Sequence, residues 1–167
     1  MWERRTFHDC AKELEQVSFR FRMAHVGDGP NNERDRQREL KETSIAGVEI
    51  LRILALAIRS EQDYGSTPDI PAFVGAIKQD IEIEDCKVFL RTYEAPYATL
   101  DGFDPLRLRD ALNKIAHADS SRSGYFANRE DHDLLLCGTQ GRKNWLAVIS
   151  IPALCKEIES LPDAIVR

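Results

Sequence analysis

Residues 45–58, IAGVEILRILALAI, constrain the fold most. Apolar side chains there cover almost the whole circumference of a helix, interrupted by Glu49 and Arg52. A helix of that kind is buried between neighbours. The stretch before it, ERDRQRELKE, is almost all charged and suits a solvated face carrying ion pairs one turn apart. A basic strip of Arg34, Arg38 and Lys41 is the functional alternative there, with acids interleaved. Together these segments predict one long helix, N-capped by Asn31 or Asn32, with a wet start and a buried end. DYGSTPDIP terminates it. The apolar run is shorter than a bilayer span requires. The first residues, MWERRTFHDCAKELEQ, lack the continuous apolar core of a secretory signal. A cytoplasmic protein without membrane contact is expected.

The remaining elements follow from periodicity. Phe7, Cys10, Ala11, Leu14, Val17 (or Ser18) and Phe21 predict an amphipathic helix from about Glu3 to Met23. A third helix is expected after Pro71, on Phe73, Val74, Ile77 and Ile81. CKVFLRTYE permits a strand, but a continuation of helix is preferred because no turn residues precede it. A fourth helix is expected with Asp104 at its N-cap and Pro105 at its first position, ending near Ala118. DSSRSGYFANRED is expected as a polar loop. HDLLLCG and NWLAVISI flank TQGRK and predict a β-hairpin. A closing helix opens at Ser150 or Ile151 before Pro152.

The fold class predicted is therefore mainly α: a four-helix bundle with a C-terminal β-hairpin and a short closing helix. One domain spans 1–167, with the bundle core at 1–118 and the loop, hairpin and terminal helix of 119–167 appended. Two strands alone are marginal, so they must pack on the bundle or pair with another chain. Cys10, Cys86, Cys137 and Cys155 show no metal-ligand spacing and are expected as free, buried thiols. No metal or cofactor is expected. The net charge of −5 argues against a duplex-DNA wrapper, while a local patch contacting RNA stays open.

The chemistry-bearing stretch is DPLRLRDALNKIAHADS. Arg109, Asn113 and His117 are spaced by four and share one helical stripe beside the apolar face. All three have innocent roles available: solvation, a helix–helix hydrogen bond, and a cation near a helix C-terminus. Their functional role is acid–base chemistry by the imidazole with a guanidinium stabilising a phosphate. That combination suits metal-independent RNA cleavage through the 2′-hydroxyl.

A helical bundle whose late helix carries NKIAHA resembles the HEPN superfamily. Many members are RNA-binding proteins or metal-independent ribonucleases of toxin–antitoxin and anti-phage systems. Their hallmark is an Arg, often followed by a polar residue such as Asn, with a His roughly four to six residues after the Arg. Asn113 and His117 match that shape. Leu112, Ala111 and Asp110 occupy the positions where the Arg would stand, and the nearest Arg is Arg109, eight residues before the His. The resemblance implies that His117 is the general acid or base, that Asn113 orients it or the phosphate, and that Arg109 is a substitute cation. It also implies a homodimer with two such helices facing. The alternative is a catalytically inactive module of the same fold, accessory, antitoxin-like or immunity-like, recruiting a protein partner through the hairpin edge or the loop around Tyr125.

Weaker candidates complete the reading. His8 is expected at the surface and His25 in a loop. Glu130 to Asp133, EDHD, offers cation ligands in a loop. GTQGRK lacks the spacing of a nucleotide-binding loop. Trp2 and Trp145 suit core or interface anchors. Arg122, Tyr125, Phe126 and Arg129 suit either single-stranded RNA or a loop packed on the bundle.

Overall fold

The computed structural model describes residues 4–166; Trp2 and Glu3, and so the expected helix start, lie outside them. The first helix, α1, is Phe7–Val26. Its N-cap Thr6 accepts a hydrogen bond from the Asp9 N–H while the Asp9 carboxylate accepts one from the Thr6 N–H, the reciprocal arrangement that satisfies two orphan donors. The long helix is α2, Glu33–Asp63, capped by Asn32, whose side chain accepts from Asp35 N–H at 2.8 Å. The chain then runs through β1 (Phe73–Gln79), α3 (Ile83–Thr92), β2 (Asp104–Arg107), α4 (Leu108–His117), β3 (Gly124–Ala127), β4 (His132–Gln140), β5 (Lys143–Ser150) and α5 (Ile151–Ser160). Ser150 caps α5 by accepting from Ala153 N–H.

The expected mainly α four-helix bundle is overturned. Five strands form one sheet in the order β2-β1-β5-β4-β3, with every neighbouring pair antiparallel. The β4–β5 hairpin is its centre rather than an appendage. It turns at Gly141, whose φ of 64° is the left-handed conformation such turns need. Three segments of the same chain complete it. The expected third helix at Phe73 is β1, which is buried on both faces from Val74 to Ile77. A strand buried on both sides is a continuous apolar run, and periodicity cannot separate it from a buried helix. Asp104 and Pro105 do not open a helix. They form the edge strand β2, where a residue lacking an N–H is tolerated, and α4 starts at Leu108. The expected polar loop contains β3 at the other edge. CKVFLRTYE does contribute to a helix, α3.

The sheet is covered on both sides, because successive side chains of a strand point to opposite faces. Trp145, Ala147 and Ile149 of β5 join the core beneath α1, α2, α4 and α5. Leu146 packs with Cys86 and Cys137, and Val148 with Leu135 and Tyr93, on the side of α3. The four cysteines are free and buried. The termini meet where Val166 N–H donates to the Arg5 carbonyl and Phe7 N–H to the Ala164 carbonyl. Among the described residues no helix is long and apolar enough to cross a membrane.

Candidate functional site

Helix α4 buries Leu108, Ala111 and Leu112 and turns its polar stripe outward. Asn113 and His117 lie together in a depression of about 440 Å³ shared with Lys114, Thr139, Gln140 and Trp145. Asn113 is half-buried and His117 exposed. The Lys114 ammonium stands 4.6 Å from the centre of the Trp145 ring, an attractive placement over the π-face. Burial lowers the Lys114 pKa, and Asp110 partly offsets it. Arg122 braces the turn end of the hairpin, reaching Asp119, Thr139 and Asn144.

Arg109 does not join this depression. Its guanidinium pairs with Asp63 at the end of α2, and eight residues of helix separate it from His117 by about 12 Å. Leu112, where the hallmark Arg would stand, is fully buried in the core.

A second concavity is a groove of about 240 Å³ between α1, α2, β3 and β4. Its walls are Leu14, Val17, Phe21, Val48, Leu51, Leu134, Leu136 and Ile151, and none of its lining residues is Asp, Glu, Lys or Arg. Uncharged polar side chains of Thr43, Ser44, Ser123 and Tyr125 also line it, and Ser18 and His132 are joined to each other within the wall. Ser18 Oγ and His132 Nδ1 are hydrogen-bonded at 2.9 Å, with Ser18 3% and His132 7% exposed. The imidazole stacks on Phe21 at 4.8 Å with an interplanar angle of 5°. His25 stacks less closely against Phe21, and Tyr125 meets all three rings edge-on. Burial, then the nearby charges of Arg22 and His25, push the His132 pKa down to about 4. The ring is neutral at physiological pH, so it is a poor base for activating the Ser18 hydroxyl.

Helix α2 opens the groove with Ser44 and Gly47. A Cβ added at Gly47 would meet nothing closer than a Val17 methyl carbon at 3.6 Å, so packing does not exclude a side chain there. A mid-helix Gly costs about 1 kcal/mol relative to Ala, and its effect here is to keep the groove wide.

Several sequence expectations land elsewhere. His132 and Asp133, weighed as loop ligands for a cation, are buried strand residues facing opposite sides of the sheet. Tyr125 and Phe126 belong to β3 rather than a loop. His25 belongs to the last turn of α1. His8 is half-buried, with Nε2 2.7 Å from the Leu161 carbonyl oxygen. The groove itself escaped the sequence reading. Its signals were a Ser among the apolar positions of α1 and a Gly inside the apolar half of α2, neither specific without knowing which helices meet. No family model matches the chain, and no curated protein or solved structure matches it significantly.

Proposed function

We propose that the protein is a binding module whose ligand is a small, uncharged and largely apolar molecule seated in the groove between α1, α2, β3 and β4. The observation that carries this reading is the Ser18–His132 pair set into walls without a charged side chain. Ligand sites combine apolar walls with a few fixed polar groups. The groove is larger than a cavity of roughly 150 Å³ that accepts benzene, so it suits a molecule of one or two rings. A charged ligand would lose hydration there, and no charged residue lines the groove to pair with it directly. The test is titration with phenol, indole and benzoate, followed by amide and methyl NMR shifts. Shifts at Ser18, Gly47, Leu51 and His132 with the two neutral probes, suppressed in Gly47→Leu, support the reading. Equal response to benzoate, or shifts elsewhere, overturns it.

A second reading rests on the α4 depression. Asn113, Lys114, His117 and Gln140 present amides, a cation and an imidazole to solvent beside the exposed hairpin turn of Arg142 and Lys143. That set suits the phosphates of a short RNA segment. In a ribonuclease of this kind Lys114, not Arg109, would supply the cation and His117 would move the proton. Incubating a mixed RNA pool with EDTA and comparing the protein with His117→Ala and Lys114→Ala tests it. Cleavage lost in His117→Ala supports a nuclease, and salt-sensitive binding without cleavage supports an RNA-binding module.

A further inference from the structure

Although α2 is apolar nearly all round beyond Ile45, the chain covers only part of it. Ile45 is 53% and Leu56 65% exposed, and Val48 and Ile53 flank them, also exposed. These residues belong to an outward stripe whose positions are spaced alternately by four and three, beginning at Arg38 and ending at Asp63. That spacing puts all eight positions on one face of the helix. The stripe spans about 38 Å of helix.

Its order of residue types is symmetric in a specific way. About the midpoint between Ile50 and Leu51, each position has a complementary counterpart at equal distance on the other side. Glu49 mirrors Arg52, Ile45 mirrors Leu56, Glu42 mirrors Arg59, and Arg38 mirrors Asp63. Among the described residues, Glu42, Glu49, Arg52 and Arg59 form no ion pair within the chain. Arg38 and Asp63 are paired with Asp35 and Arg109, yet their side chains are 57% and 60% exposed, leaving both reachable.

We infer that α2 is a homodimer interface, in which two copies of the helix pair antiparallel about a two-fold axis at Ile50–Leu51. In that arrangement Glu49 meets Arg52 of the second copy, Ile45 meets Leu56, Glu42 meets Arg59, and Arg38 meets Asp63. A two-fold interface must be self-complementary, and this stripe is. A parallel pairing would set each charge against itself, which electrostatics disfavours. Val48 and Ile53 close the seam on either side, so the exposed apolar surface of α2 is buried with its charges matched. The inference is independent of what the groove or the α4 depression binds.

Sedimentation velocity of the full chain across a concentration series tests it. The expected result is a monomer–dimer equilibrium. Glu49→Arg and Arg52→Glu, both at exposed positions, should each raise the dimer Kd at least about tenfold. The double variant carrying both reversals should restore it. Cysteine cross-linking then fixes the register. Ile45→Cys protein mixed with Leu56→Cys protein should form a disulfide-linked dimer, whereas Ile45→Cys protein alone should not, because the native cysteines are buried. A wild-type protein that stays monomeric at its highest soluble concentration overturns the inference. So does a dimer indifferent to the charge reversals, or one in which Ile45→Cys links to itself.

Discussion

The Tyr93 hydroxyl donates a 2.6 Å hydrogen bond to the Asp133 carboxylate on the α3 side of the sheet. Its sequence neighbour His132 is held on the other side by Ser18. Burial pushes Asp133 up to about 6, against the lowering effect of the Tyr93 hydrogen bond. Burial pushes His132 down to about 4. The two shifts act on stability with opposite signs. Asp133 contributes stability fully below its unfolded pKa near 3.8 and loses it as pH rises through about 6. His132 contributes stability above its unfolded pKa near 6.5 and loses it as pH falls through about 4. Each term is on the order of 3 kcal/mol. Their slopes oppose one another between about pH 4 and 6, so chemical denaturation should show little net dependence from this pair. Asp133→Asn should expose the His132 slope, with stability rising with pH. His132→Gln should expose the Asp133 slope, with stability falling. Parallel profiles for the two variants would refute this compensation.

Gly47→Leu should fill the groove from α2. The helix gains propensity of up to about 1 kcal/mol, so thermal stability should hold or rise while binding of neutral ring probes is lost. Ser18→Ala should cost on the order of 1–2 kcal/mol, because it strands one nitrogen of a buried imidazole. Differential scanning calorimetry with and without probe separates the two effects.

Leu112→Arg is the substitution that would write the HEPN hallmark into α4. It should fail to create a nuclease and should unfold the protein, because position 112 is fully buried and an unpaired buried charge costs several kcal/mol. Leu112→Ala should cost about 2–5 kcal/mol yet remain folded. Soluble, folded Leu112→Arg protein with RNA-cleaving activity would show that α4 tolerates the motif after all.

Gly138 on β4 stands directly opposite Trp145 on β5. A Cβ at this position would lie 2.2 Å from the Trp145 ring, so Gly138→Ala must displace the indole. The expected cost is about 1–3 kcal/mol. The Lys114 ammonium should lose its place over the ring, visible as altered Trp fluorescence and a shifted Lys114 side-chain resonance.

Arg109→Ala removes an exposed ion pair with Asp63 and should change stability by no more than about 1 kcal/mol. If the α4 depression binds RNA, Lys114→Ala should weaken that binding severalfold and Arg109→Ala should leave it nearly unchanged. Equal losses in filter-binding assays would place Arg109 in the interface despite its pairing.

Local chemistry was legible in the residues themselves. Asn32 and Ser150 announce helix starts because their side chains satisfy N–H groups only a few residues away. The hairpin at Gly141 announces itself through a turn that needs positive φ. The proximity of Asn113 to His117 follows from helical pitch alone. None of these depends on distant partners.

What only the tertiary structure decided was long-range. The segment from Phe73 is a strand because β2 and β5 flank it, an arrangement its own apolar periodicity does not encode. Asp104 and Pro105 pass for a helix start until the edge of a sheet claims them. Arg109 belongs to Asp63 because α2 ends beside α4. The groove exists because Ser18 on α1 and His132 on β4, 114 residues apart in sequence, meet where two helices cross a sheet. Helix caps and tight turns are settled within a few residues of the chain. Sheet partners, ion pairs between elements and cavities are settled by surfaces that meet only once the chain has folded.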